Sequence, residues 1–121
     1  MSEADSPITS LSAVTIGISN MARSVAFYRS LGFLLRYGGE TESFTSFHAG
    51  SGYLNLAYYP ERSKHWWGRI IFYVEDVDHQ YRRVLDQGIQ PEHAPEDAPW
   101  GERYFHVLDP DGHEVSFARP L

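Results

Sequence analysis

A chain of 121 residues, with 10 Lys and Arg against 16 Asp and Glu, carries a formal charge of −6 and holds room for one compact domain but not two. Its acidity disfavours a phosphate backbone as partner, so nucleic acid is not expected. Cysteine is absent, which excludes a disulfide framework and a thiolate nucleophile or metal site and suits a reducing cytoplasm.

The opening MSEADSPITS is acidic and lacks the apolar core of a secretion signal, so residues 1–10 read as a flexible arm before a domain over 11–121. No run approaches the roughly eighteen apolar residues of a membrane span, and no membrane partner is expected. Ala13 to Ile18 is short, rich in β-branched residues and little alternating, the pattern of a strand buried on both faces. Asn20 then suits a helix cap. Met21, Val25, Tyr28 and Leu31 recur at three- and four-residue steps, and Gly32 supplies a left-handed stop. Phe33 to Tyr37, Ser43 to Ala49 and Tyr53 to Tyr59 follow as strands, divided by the turn signals GGE and AGSG.

From Arg69 the order begins again. Arg69 to Val74 reads as a strand, Asp76 as a cap, Val77, Tyr81, Val84 and Leu85 as the buried stripe of a helix, and Gly88 as its stop. The two stops lie 56 positions apart (32 to 88), and the same offset carries Asn20 onto Asp76, Met21 onto Val77 and Val25 onto Tyr81. VTIGISNMARSVAFYRSLGF and IIFYVEDVDHQYRRVLDQGI are thus one fold unit used twice, with modules at about 11–60 and 67–121. A short strand near Gln90 to His93, a loop rich in Pro and Asp, and a final hairpin complete the second round.

The hairpin fixes its own register. Pro110 cannot adopt positive φ, which excludes a two-residue type I′ turn centred on Pro110 and Asp111. A type I turn with Gly112 at the bulge position fits instead and pairs Asp109 with His113. Val107 then faces Val115, Phe105 faces Phe117, His106 faces Ser116 and Tyr104 faces Ala118. One face is wholly apolar and should pack on a helix, while Tyr104, His106, Glu114 and Ser116 share the other. In a curved eight-strand sheet that polar face lines a cavity; the alternative is a solvated outer surface.

SNMARSVAFYRSLGF, YVEDVDHQYRRV and HVLDPDGHEVSF resemble segments of the glyoxalase/bleomycin-resistance/extradiol-dioxygenase group, the vicinal oxygen chelate superfamily, and the likeness runs from about Leu11 to Leu121. The resemblance implies an α+β fold of two tandem βαβββ modules, forming a U-shaped mixed sheet around one small-molecule cleft that is commonly completed by dimerisation. It does not imply one reaction. In the group's metalloenzymes, His, Gln or Glu side chains on four strands hold a divalent ion. Those positions fall here on Ala13, Asn55, Arg69 and Ser116, and Ala13 and Arg69 obey the 56-residue offset (13 to 69). Alanine offers no lone pair, a guanidinium repels a cation, and amide and hydroxyl oxygens are weak uncharged donors. Neither a metal nor another cofactor is therefore expected.

Arg69 either takes the cation's place and pairs with an anionic or polar ligand oxygen, or forms a salt bridge, Glu114 being the candidate. His106 and Glu114 share a face and form either a general acid/base pair or a hydrogen-bonded wall of the pocket. A relocated metal site of His106, Glu114 and His48 is a further alternative, although the AGSG turn leaves the facing of His48 open. His65, His79, His93 and His113 are expected in solvent. Tyr53 shares a face with Asn55, and Trp66, Trp67 and Trp100 lie in loops that either rim a pocket or join a dimer interface. The DPDG segment lacks the ligand ladder of a calcium loop and reads as a turn. The resulting expectation is a metal-independent, cytoplasmic, homodimeric protein that binds a small organic ligand, aromatic or acidic. Tyr53, Asn55, Arg69, Tyr104, Ser116 and Trp67 would bind it beside His106 and Glu114. The alternative is a lyase, isomerase or dioxygenase-like enzyme that uses His106 and Glu114.

Overall fold

Each half of the chain builds the same local structure for the same reasons. In the computed structural model, which describes residues 6–61 and 65–121, the elements run β1 (Ala13–Ile18), α1 (Met21–Ser30), β2 (Leu34–Tyr37), β3 (Phe44–Ala49) and β4 (Gly52–Tyr58). They continue as β5 (Arg69–Tyr73), α2 (Val77–Asp86), β6 (Glu96–Ala98), β7 (Glu102–Leu108) and β8 (Glu114–Pro120). Of the expected N-terminal arm, residues 1–5 lie outside the described residues. The Asn20 side-chain oxygen accepts the Arg23 N–H at 3.0 Å and the Asp76 carboxylate accepts the His79 N–H at 2.9 Å, so both helices start on a capping side chain. Gly32 and Gly88 both follow their helices with positive φ. No described helix is long and apolar enough to cross a membrane.

The strands divide into two four-stranded sheets, ordered β1-β4-β3-β2 and β5-β8-β7-β6. In each, the first strand of the module runs parallel to the last, and the other pairs are antiparallel. This is the expected α+β architecture of paired βαβββ modules. The segment around Gln90 to His93 is not a strand; Glu96–Ala98 pairs with β7 in its place. Pro91 is buried and has no N–H to give a ladder, although the Glu92 N–H still reaches the His106 carbonyl at 2.9 Å. Leu85, expected in the helix stripe, is exposed, and Val77, Gln80 and Val84 form the buried side.

One apolar core runs through both modules. Ile16, Ile18, Val25 and Tyr28 from the first join Val77, Val84, Phe105 and Phe117 from the second, and Phe33 bridges them with its ring 4.9 Å from Phe72 and 6.1 Å from Phe47. Each large apolar side chain removed from water here contributes roughly 1.5–3 kcal/mol. Gln80 adds a polar tie, its amide N–H donating to the Leu31 carbonyl at 2.8 Å.

The β7–β8 hairpin has the register its sequence demands. Val107, Phe105, His106 and Tyr104 pair with Val115, Phe117, Ser116 and Ala118, and the Asp109 N–H bonds the His113 carbonyl at 2.9 Å. Gly112 holds the bulge with φ +84°. The turn is also a joint between modules. Asp109 accepts the Tyr28 hydroxyl at 2.7 Å, and Asp111 accepts the Ser19 hydroxyl at 2.6 Å. His113, expected in solvent, is only 2% exposed. Its Nε2–H donates to the Gly17 carbonyl at 2.7 Å and its Nδ1 accepts the Trp67 indole N–H at 2.7 Å, so both ring nitrogens are used and the tautomer is fixed.

Candidate functional site

Alternation along the second sheet sends Ile70, Phe72, Phe105, Val107, Val115 and Phe117 into the core and turns Arg69, Tyr104, His106, Glu114 and Ser116 to the opposite face. Register then sets Arg69 beside Glu114 and His106 beside Ser116. Arg69 Nη2 lies 3.1 Å from Glu114 Oε2, and the same oxygen accepts the Trp66 indole N–H at 2.8 Å. His106 Nδ1 and Ser116 Oγ are 2.9 Å apart, and the hydroxyl is also 3.3 Å from the Phe105 carbonyl. A hydroxyl proton directed to either acceptor satisfies the buried serine. The His93 ring stands edge to face with His106 and the Tyr104 ring is tilted against it, each centroid 5.0 Å away.

Burial holds the His106 imidazolium below its ordinary range, and the Arg69 charge pushes it the same way against the opposing pull of Glu114. The ring therefore enters neutral solution uncharged. Burial alone would raise Glu114, but hydrogen bonds from Trp66, Arg69 and Glu92 outweigh it and hold the carboxyl below its usual range. Burial raises Glu92, and the adjacent Glu114 raises it further. The two adjacent carboxyls are thus shifted apart, Glu92 holding its proton more tightly than Glu114.

The first sheet gathers a separate set. The Arg36 guanidinium sits 3.9 Å above the Tyr53 ring, and His48 lies beside the same ring at 5.9 Å. The Asn55 amide donates to Thr15 Oγ1 at 3.2 Å. Ser46 Oγ and Asn55 Oδ1, facing each other across β3 and β4, are buried without a hydrogen-bond partner among the described residues.

The structure thus brings Arg69, Tyr104, His106, Glu114 and Ser116 together and leaves Tyr53 and Asn55 on the other sheet. Trp67 belongs to the His113 joint, whereas the adjacent Trp66 reaches Glu114. His48 stands with Tyr53 on the first sheet, so a single chain does not bring it to His106 and Glu114. No three His, Asp or Glu side chains form a ligating group among the described residues. Sequence reasoning missed Glu92 and placed His93 in solvent. Both sit in a Pro-interrupted stretch without periodicity, and only the backbone bond from Glu92 to His106 shows that the segment crosses the polar face.

The four positions that hold a divalent ion in related metalloenzymes do not suit one here. Arg69 presents a cation already paired with Glu114, Ser116 is engaged with His106, and Asn55 turns its amide toward Thr15 while Ala13 offers nothing.

Paired βαβββ modules on one core, each with a polar strand face turned away from it, define a glyoxalase-like class of protein. The chain belongs to the Glyoxalase/Bleomycin resistance protein/Dioxygenase superfamily, which it matches over residues 10–117. It superimposes on a bleomycin-binding protein solved in complex with bleomycin, with a TM-score of 0.77, 22% identity and coverage of 94% of this chain and 100% of that one. A lactoylglutathione lyase from Agrobacterium tumefaciens gives a TM-score of 0.78 at 21% identity over 93% of this chain and 94% of that chain. An uncharacterized protein of Mycobacterium tuberculosis is 44% identical over 48 residues, which are 40% of this chain and 28% of that protein's length. The chain therefore spans well under half of that curated relative.

Proposed function

We propose that residues 11–121 form a metal-independent small-molecule-binding unit, acting as a homodimer in the cytoplasm, whose ligand is anchored on the polar face of the second sheet. The observation that supports this reading is the Arg69 guanidinium 3.1 Å from Glu114, at a position that the family resemblance assigns to a metal ligand. A guanidinium recognises carboxylate or other polar oxygens through a planar fork, and the Trp66, Tyr104 and His93 rings around it suit a flat organic body. The fold shared with a bleomycin-binding protein supports small-ligand binding in general. Asn55 and Tyr53 on the first sheet complete the pocket from the second subunit of the dimer.

Metal analysis of the purified protein, followed by thermal-shift titration with nickel, zinc, manganese and ferrous salts, tests the first half. The expected result is no stoichiometric metal and no shift. Stoichiometric metal lost on His106→Ala or Glu114→Gln would overturn it. Calorimetric titration of the metal-free protein with bleomycin tests one ligand directly, with Arg69→Gln expected to weaken any binding at least tenfold. Light scattering reads the subunit count.

The opposite shifts of Glu92, upward, and Glu114, downward, beside uncharged His106, favour a second reading as an acid/base enzyme of the lyase or isomerase type. In that case His106→Ala abolishes turnover while ligand affinity survives.

A further inference from the structure

We infer that the groove between the two modules is a second binding site, distinct from the polar face of the second sheet, and that it takes a small aromatic carboxylate. A cavity of about 520 Å³ opens where the β3–β4 turn meets β5 and the C-terminal end of α1 meets α2. That volume lies within the roughly 300–1,000 Å³ range of small-molecule sites. Its floor is aromatic. Phe33 and Phe72 meet edge to face at 4.9 Å, and Phe72 continues to Phe117 at 6.2 Å. These rings offer a flat ligand both edges and faces.

One charge overlooks this floor. Arg83, on the last turn of α2, lines the groove and forms no ion pair among the described residues, unlike Arg23, Arg69 and Arg103. Its guanidinium packs against Gly32, with a nitrogen 3.4 Å from the place where a side chain at that position would begin. The missing Cβ leaves the guanidinium room to lie over the groove. In a chain of net charge −6, an unpaired guanidinium above an apolar floor selects an anionic head on an apolar body. Lining atoms from His48 and Ser51 on the opposite wall supply polar contacts for its far edge.

The test is a titration of the full chain with 2-naphthoate, followed by amide chemical shifts, with 2-naphthol as the uncharged counterpart. Saturable binding is expected, with shifts centred on Phe33, Ser51, Ile71 and Phe72. Arg83→Gln should weaken 2-naphthoate at least tenfold while leaving the weaker binding of 2-naphthol unchanged. Arg69→Gln, which disables the site on the second sheet, should leave the shifts at Phe33, Ser51, Ile71 and Phe72 unaltered and remove any at Trp66 and Tyr104, so failure of either site reads separately. No saturation at millimolar 2-naphthoate, equal affinity in Arg83→Gln, or shifts confined to Trp66 and Tyr104 would each overturn the inference.

Discussion

Ser19, at the start of α1, donates both its backbone N–H (3.1 Å) and its hydroxyl (2.6 Å) to the carboxylate of Asp111, 92 positions later on the β7–β8 turn. Ser24 and Arg23 approach the same carboxylate, at 3.5 and 3.8 Å. The second module's hairpin therefore serves as an anion for the first module's helix start, where the backbone N–H groups favour negative charge. Asp111→Ala leaves these donors facing a buried gap, and a hydrogen bond to a charged group is worth about 1.5–3 kcal/mol. Urea unfolding should show a loss of that size, and a loss of only a few tenths would show that the two modules do not depend on this joint.

Tyr28 supplies the neighbouring tie. Its ring is fully buried, its hydroxyl donates to Asp109 at 2.7 Å, and burial followed by the Asp109 charge holds the phenol well above its ordinary range. It therefore stays a donor throughout the neutral range. Tyr28→Phe removes the hydroxyl and leaves a buried carboxylate oxygen without that donor, at a cost of about 1–3 kcal/mol. Because the ring packing on Phe33 and Phe47 survives, the denaturant slope should not change while the midpoint falls.

The duplicated unit, both caps and the hairpin register were legible because each rests on local chemistry: Asn20 and Asp76 as caps, Gly112 as the only turn residue suited to its bulge. The burial of His113 was not, since it depends on Gly17 and Trp67, 96 and 46 positions away. Glu92 escaped for a similar reason. Its acidity means nothing until a backbone bond lays it across His106 next to Glu114. Leu85 shows the reverse error, an apolar residue at a helical step that lies just off the buried face.

Glu92 and Glu114 predict a pH signature. Glu92 is raised in the folded chain, so its contribution to stability is complete below its unfolded pKa and fades as pH rises through the folded value. Glu114 is lowered, so its contribution is present above its unfolded pKa and fades as pH falls through the folded value. Glu92→Gln keeps a donor toward Glu114 and removes only the first dependence. The variant should gain on the wild type as pH rises from the carboxylate range toward neutral, by no more than about 1 kcal/mol because the pair is solvent-screened. Melting temperatures across pH 4–8 read the difference, and parallel profiles would show that the two carboxyls do not share a proton.

Ser46 offers a prediction of the opposite sign. Its hydroxyl is buried opposite Asn55, whose Oδ1 is likewise unpaired, and no partner among the described residues repays their loss of water. Ser46→Ala removes one such group with little change in shape, so the free protein should be unchanged or more stable, by up to about 1 kcal/mol. If the first sheet contributes to a ligand site, the same substitution should weaken a ligand that donates to this pair. Opposite movements of melting temperature and affinity in one variant would mark Ser46 as held unsatisfied for binding, whereas a destabilised Ser46→Ala would show that the hydroxyl is already bonded in the free chain.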